Sequence, residues 1–363
     1  MKKSHLTLLL IFIAASLLIS ACTGGAGAAS SWPGLTIDME REQAYVAFGP
    51  QVYAVNLGNG TEKWRAPVEP DNQVTFFAVP ALTDDGQLIA GSYDSNLYSI
   101  NPENGQLNWV FEDGGNRFVA GPLADGEHIF APSTDNSLYT LTTAGDLVWS
   151  FETDDILWST PATDGETVYQ PGMDHRVYAL DAESGELIWK TDKLGGSIAG
   201  TPALSPDGLL FVGTFGNELL ALDTNRSGEI LWRMPATAWV YSGPTQDGDT
   251  LYVGDLDGAF YAVEAPTGGI KWRIQPDPED KRAITDNPLV LGDTVFFTSE
   301  SGTLFAVERE NGDPKWSKQI DGRLYAGPKS AGETIIIAPI DTDELLIALD
   351  ENGNQKWVFV PEN

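Results

Sequence analysis

One short segment recurs eight times along this chain, and the recurrence constrains the fold more than any other feature. It reads QVYAVNLGNGTEKW at 51–64, NLYSINPENGQLNW at 96–109, SLYTLTTAGDLVW at 137–149 and RVYALDAESGELIW at 176–189. It returns as ELLALDTNRSGEILW at 218–232, AFYAVEAPTGGIKW at 259–272, TLFAVERENGDPKW at 303–316 and LLIALDENGNQKW at 345–357. The closing tryptophans are Trp64, Trp109, Trp149, Trp189, Trp232, Trp272, Trp316 and Trp357, spaced 40 to 45 residues apart. A second marker keeps the same period: Pro33, Pro80, Pro122, Pro161, Pro202, Pro244, Pro288 and Pro328 each precede one of these tryptophans by 27–31 residues.

Within a repeat, apolar runs of five to seven residues are separated by Gly, Asn and Asp turns, which is the pattern of successive hairpins. In the fifth repeat, SIAGTPALS, LLFVGTF, ELLALDT and EILWRMP read as four strands, with a turn at Gly216-Asn217. Four short strands repeated eight times predict an all-β fold, an eight-bladed β-propeller with four antiparallel strands per blade. The first and last repeats are both complete. Closure is therefore expected by packing blade eight on blade one without a long strand exchange. One weak helical candidate remains, the polar stretch near 277–285.

The repeat A-x-D-x-x-T/S-G-x-x-x-W, carried by Ala179, Asp181, Ser184, Gly185 and Trp189, resembles the tryptophan-docking repeat of the pyrroloquinoline-quinone (PQQ) enzyme-repeat family. The resemblance covers residues 32–363. It implies that each of the eight tryptophans docks against the neighbouring blade and ties the ring together.

The N-terminus has its own logic. Lys2 and Lys3 precede an apolar stretch from Leu6 to Ile19, too short for an ordinary spanning helix. Residues 1–21 read as a signal peptide. Leu18-Ile19-Ser20-Ala21-Cys22 resembles a bacterial lipobox, whose cysteine becomes a lipidated N-terminus, and Cys22 is the only cysteine in the chain. Residues 22–31 then form the lipidated Cys and a Gly/Ala/Ser tether, and 32–363 the propeller. The expected location is extracytoplasmic, membrane-anchored through the lipid alone, at an outer membrane or a cell surface according to the envelope. Removal of residues 1–21 takes away two lysines and no acid, so the net charge moves from −31 to −33. Such a charge repels phosphate backbones and excludes general nucleic-acid binding.

Catalysis finds little support. In the PQQ alcohol dehydrogenases that share the repeat, the resemblance would imply an adjacent Cys pair, a calcium held by Glu, Asn and Asp, and a catalytic Asp; this chain has no Cys pair. The Asp-Gly pairs at 85–86, 125–126, 164–165 and 247–248 read as turns. His128 and His175 sit in different blades, and Asp341, Asp343 and Glu344 lack the Gly and distal Glu of a calcium loop. The expectation is no enzyme, no metal and no cofactor, with PQQ unsupported.

A partner would bind where the blade connections meet at the mouth of the central channel. Four residues before each proline of blades two to eight the chain is apolar: Phe76, Phe118, Leu157, Ile198, Val240, Ile284 and Leu324. Alternation sends the residues three and five before the proline the other way. Those positions carry Phe77, Arg117, Trp158, Trp239, Tyr241, Arg323 and Tyr325, with Arg282 one step further out. Aromatics with arginines are the composition of binding hot spots; the bland alternative is channel filling, with the arginines paired to acids such as Asp154, Asp155 and Asp280. A lipid-anchored eight-bladed chain also resembles the BamB-like lipoproteins of the outer-membrane β-barrel assembly machinery. That resemblance implies a non-catalytic scaffold whose partner is an outer-membrane barrel assembly protein. The alternatives are a PQQ-binding quinoprotein and a small-ligand or carbohydrate-sensing propeller using Trp158, Trp239 and Tyr241.

Overall fold

A computed structural model describes residues 32–71, 73–279 and 281–362. The signal peptide, Cys22 and the tether lie outside the described residues, as does Asp280. Thirty-two strands form eight separate four-stranded antiparallel sheets, each drawn from four consecutive strands. Blade 1 runs from Gly34–Asp38 to Glu62–Ala66 and blade 8 from Lys329–Ala331 to Gln355–Phe359, with no strand exchanged between them. Among the described residues no helix is long and apolar enough to cross a membrane.

Two expectations need correction. The stretch 277–285 forms no helix among its described residues; the one helical turn among the described residues is Thr224–Arg226, made by an extra residue in the last hairpin of blade 5. The inner strands are also shorter than the sequence suggests: SIAGTPALS supplies only Ala203–Leu204. The chain ahead of each proline is extended connection held by a latch of backbone bonds. In blade 5, Phe215 N–H donates to Ser197 O (2.9 Å), and Ile198 N–H donates to Gly172 O of the preceding blade (3.3 Å).

The tryptophans close the ring as one repeated joint. Each indole lies on the glycine of the next blade's last hairpin, and that glycine has positive φ in all eight cases. A Cβ on Gly185 would fall 2.5 Å from the Trp149 ring, so the turn needs glycine both for its φ of +70° and for the approach of the indole. Seven indole N–H groups also donate to a main-chain carbonyl next door, for example Trp64 to Pro102 (2.8 Å) and Trp357 to Leu57 across the seam (2.8 Å). Trp189 faces the enlarged turn at Thr224–Arg226 and, among the described residues, has no such acceptor.

Antiparallel hairpins fix which residues share a face of the wheel. The connections ahead of each proline and the turns between second and third strands lie on one face, the mouth. The docking glycines lie on the opposite face.

Candidate functional site

Alternation ahead of the prolines holds in the folded chain. Phe76, Phe118, Leu157, Ile198, Val240, Ile284 and Leu324 are all buried between blades. Their neighbours face the channel mouth, where most of the aromatic ones join into a single network.

Its centre is Trp32. The indole stacks on Tyr325 of the connection into blade 8 (4.6 Å between centroids, 4° between planes). It also meets Phe77 ahead of blade 2 at 5.5 Å and the edge of Tyr241 ahead of blade 6 at 6.1 Å. One arm continues from Phe77 to Tyr93 (5.4 Å), over which the Arg117 guanidinium sits at 5.0 Å. The other runs from Tyr241 to Phe215 (5.8 Å), on which Trp239 stacks at 4.8 Å. Trp239 remains 50% exposed, so the stack presents an indole face to solvent.

Sequence reasoning missed Trp32, Tyr93 and Phe215, although signals for them existed. Trp32 stands one before Pro33, on the same alternating row as the positions three and five before a proline. In the other blades that place holds Val79, Gly121, Thr160, Thr201, Gly243, Asn287 or Gly327, so a single large side chain reaches across the axis. Tyr93 and Phe215 follow the second strands of blades 2 and 5, at the position whose N–H donates to the residue five before the proline.

The remaining candidates are placed differently. Trp158 is 40% exposed and, among the described residues, makes no ring contact, so it stands apart from the network. Arg282 lines a small recess with Gly258, Pro276 and Ser299 on the blade 7 side. Arg323 is neutralised: it pairs with Asp341 at 2.6 Å and Glu300 at 3.7 Å, and donates to the Tyr325 hydroxyl at 2.8 Å. Asp154 pairs with Lys190 (3.9 Å), and Asp155 caps the Ile156 N–H, so neither serves the mouth arginines. Asp341 thus has a structural task, and among the described residues no three His, Cys, Asp or Glu gather as a metal ligand set. Trp32 is already stacked on Tyr325 and meets Phe77 and Tyr241, so with no carboxylate ligand set beside them among the described residues they do not fit a calcium-held planar quinone.

Burial, seconded by the charge of Asp286, pushes the Tyr241 phenol up to about 12. An unfolded tyrosine titrates near 10, so folding favours the neutral phenol. This contribution is complete below pH 10 and disappears as pH rises towards 12. Wild-type stability is expected to fall across that window, and Tyr241→Phe to fall less steeply. Urea unfolding at pH 9, 10.5 and 12 measures it; parallel curves would remove Tyr241 from the account.

A family model described as outer membrane protein assembly factor BamB matches residues 49–192, 173–291 and 281–363. The crystal structure of BamB from Moraxella catarrhalis superposes with a TM-score of 0.71 at 19% identity, covering 88% of this chain and 92% of that one. The computationally designed Ika8 protein superposes with a TM-score of 0.72 at 12% identity, covering 92% and 98%. At such identities the likeness concerns the fold alone. A tetrathionate hydrolase from Acidithiobacillus ferrooxidans is 24% identical over 270 residues, which is 61% of this chain; the chain spans about half, 53%, of that relative.

Proposed function

The chain belongs to the family of the outer membrane protein assembly factor BamB, and from that premise we propose that it is a non-catalytic scaffold of the cell envelope. It is tethered by a lipid on Cys22 and holds a protein partner against the mouth of its channel, in the assembly of outer-membrane proteins. The observation that carries this reading is the mouth network: an exposed Trp239 on Phe215 and an exposed Arg117 on Tyr93, both braced through Trp32. Rigid, half-exposed aromatics and arginines bind proteins with little loss of conformational entropy. A propeller supplies such a surface without moving parts.

The test is site-specific photo-crosslinking in membranes, with the crosslinker in turn at Trp239, at Arg117 and at Gly332 on the opposite face, in the first turn of blade 8. The reading expects adducts from the two mouth positions to the same membrane protein and none from Gly332. Trp239→Ala should weaken capture of that partner at least tenfold, since a hot-spot aromatic contributes about 2 kcal/mol or more. Equal labelling from both faces, or unchanged capture by Trp239→Ala, would rule out the mouth. Mass spectrometry of the N-terminal peptide checks acylation of Cys22 separately. Hydrolysis of tetrathionate by the purified protein would overturn the non-catalytic part.

A further inference from the structure

The outer strand of every blade carries a β-bulge, and in each the extra residue immediately precedes the docking tryptophan. In blades 6, 7 and 8 it is a lysine whose ammonium is tied back to a threonine opening the second strand: Lys271 to Thr250, Lys315 to Thr294, Lys356 to Thr334, all within 2.7 Å. In blade 2, Asn108 donates to Ser99 at 3.0 Å. Blades 3, 4 and 5 break the pattern with Val148, Ile188 and Leu231, which are 42%, 54% and 40% exposed. One residue earlier, Leu147, Leu187 and Ile270 are exposed as well. Neighbouring blades thus repeat exposed aliphatic side chains at one register position of the outer strand, on the face away from the mouth. Exposed apolar surface concentrated in this way marks an interaction site.

At its middle, between blades 4 and 5, lies a groove of about 780 Å³ floored by Ile188, Trp189, Leu204 and Pro206. The groove holds three carboxylates, Asp164, Glu166 and Asp207, and no lysine or arginine. Its counterpart between blades 6 and 7 also holds three carboxylates, Asp293, Glu308 and Glu310, but sets Lys271 and Arg309 among them; Lys271 is tied to Thr250, Lys315 meets Asp293 at 2.7 Å and Arg309 pairs with Asp247 at 2.8 Å. The blade 4–5 groove also contains Trp189, the docking tryptophan whose indole N–H, among the described residues, lacks the main-chain carbonyl that its seven equivalents have.

We propose that this groove binds an extended segment of a partner chain that alternates apolar with basic side chains. Its aliphatic side chains would cover Ile188 and Leu204, its cations would face the three carboxylates, and one of its carbonyls would accept from Trp189. The surface is independent of the mouth, so a partner held there and a segment held here can be bound together.

The probe is a fluorescein-labelled octapeptide of alternating leucine and lysine, titrated by anisotropy into the propeller protein, with alternating leucine and glutamate as comparison. The Leu/Lys peptide should bind and the Leu/Glu peptide should not. Ile188→Gln, which alters no charge, should weaken binding at least tenfold, and Ile188→Lys further. The lysine has Thr167 in the same groove to tie to, as Lys271 has Thr250, so both variants should keep the wild-type melting temperature within a few degrees. Unchanged affinity in folded Ile188→Gln would mean that the peptide senses only the general acidity, and would overturn the proposal. Equal binding of the Leu/Glu peptide would do the same.

Discussion

Trp357→Ala is expected to lower the unfolding free energy by about 3–5 kcal/mol, the usual cost of deleting a buried tryptophan. The ring makes this joint different from its seven copies. The indole is 8% exposed, lies on Gly60 and donates to Leu57, and so fastens residues 300 apart in sequence. Other joints link blades already joined by the chain, whereas blades 8 and 1 are held only by packing, by this indole and by lesser contacts such as Arg65 to the Glu362 carbonyl (2.6 Å). Trp189→Ala is the natural comparison, because that indole lacks its carbonyl and borders an open groove. Urea denaturation should rank Trp357→Ala clearly below Trp189→Ala. The reverse order would mean that the seam is not the vulnerable joint.

Asp255→Ala should cost at least about 3 kcal/mol. The side chain is wholly buried and accepts from Thr237 N (3.1 Å), Thr237 Oγ1 (2.6 Å), Ala238 N (3.2 Å), Tyr261 Oη (2.9 Å), Asp257 N (3.0 Å) and Ala259 N (3.0 Å). Each buried donor stranded without a partner costs about 1–3 kcal/mol. The damage would not stay local. Thr237 and Ala238 lead directly into Trp239, so the Trp239–Phe215 stack should loosen and its near-ultraviolet circular dichroism fade. A variant within about 1 kcal/mol of wild type, with that signal intact, would sink the argument. Comparable carboxylates recur: Asp135 holds Tyr139 at 2.6 Å, Asp174 holds Tyr178 at 2.6 Å, and Asp94 holds Tyr98. Part of the acidity is therefore a set of turn latches that bind the second–third strand turns to their blades.

Much of the wheel is visible in the sequence because its determinants are local. The glycine of Ser184-Gly185-Glu186 stands four residues before Trp189, and the same glycine–tryptophan offset recurs in every repeat. The alternation around Phe76, Leu157 and Val240 says which side of each connection is buried. Those offsets also pointed at Phe77, Tyr241 and Tyr325, which meet at the axis. They pointed equally at Trp158, which stands apart, and at Arg323, which Asp341 and Glu300 neutralise. Position within a repeat does not say what stands opposite.

By itself, then, the sequence determined the eight sheets, the docking joints and the faces of the inner connections, all set by neighbours within a blade or one blade away. The tertiary structure alone decided that Trp32 meets Tyr325, 293 positions later, and that one indole joins three blade connections at the mouth. It alone decided that, among the described residues, the enlarged turn near Asn225 offers Trp189 no main-chain acceptor beside an acidic groove. The physical reason is closure. Curling eight sheets into a ring sets the width of the axis and the spacing of the rim, and these fix which distant side chains touch.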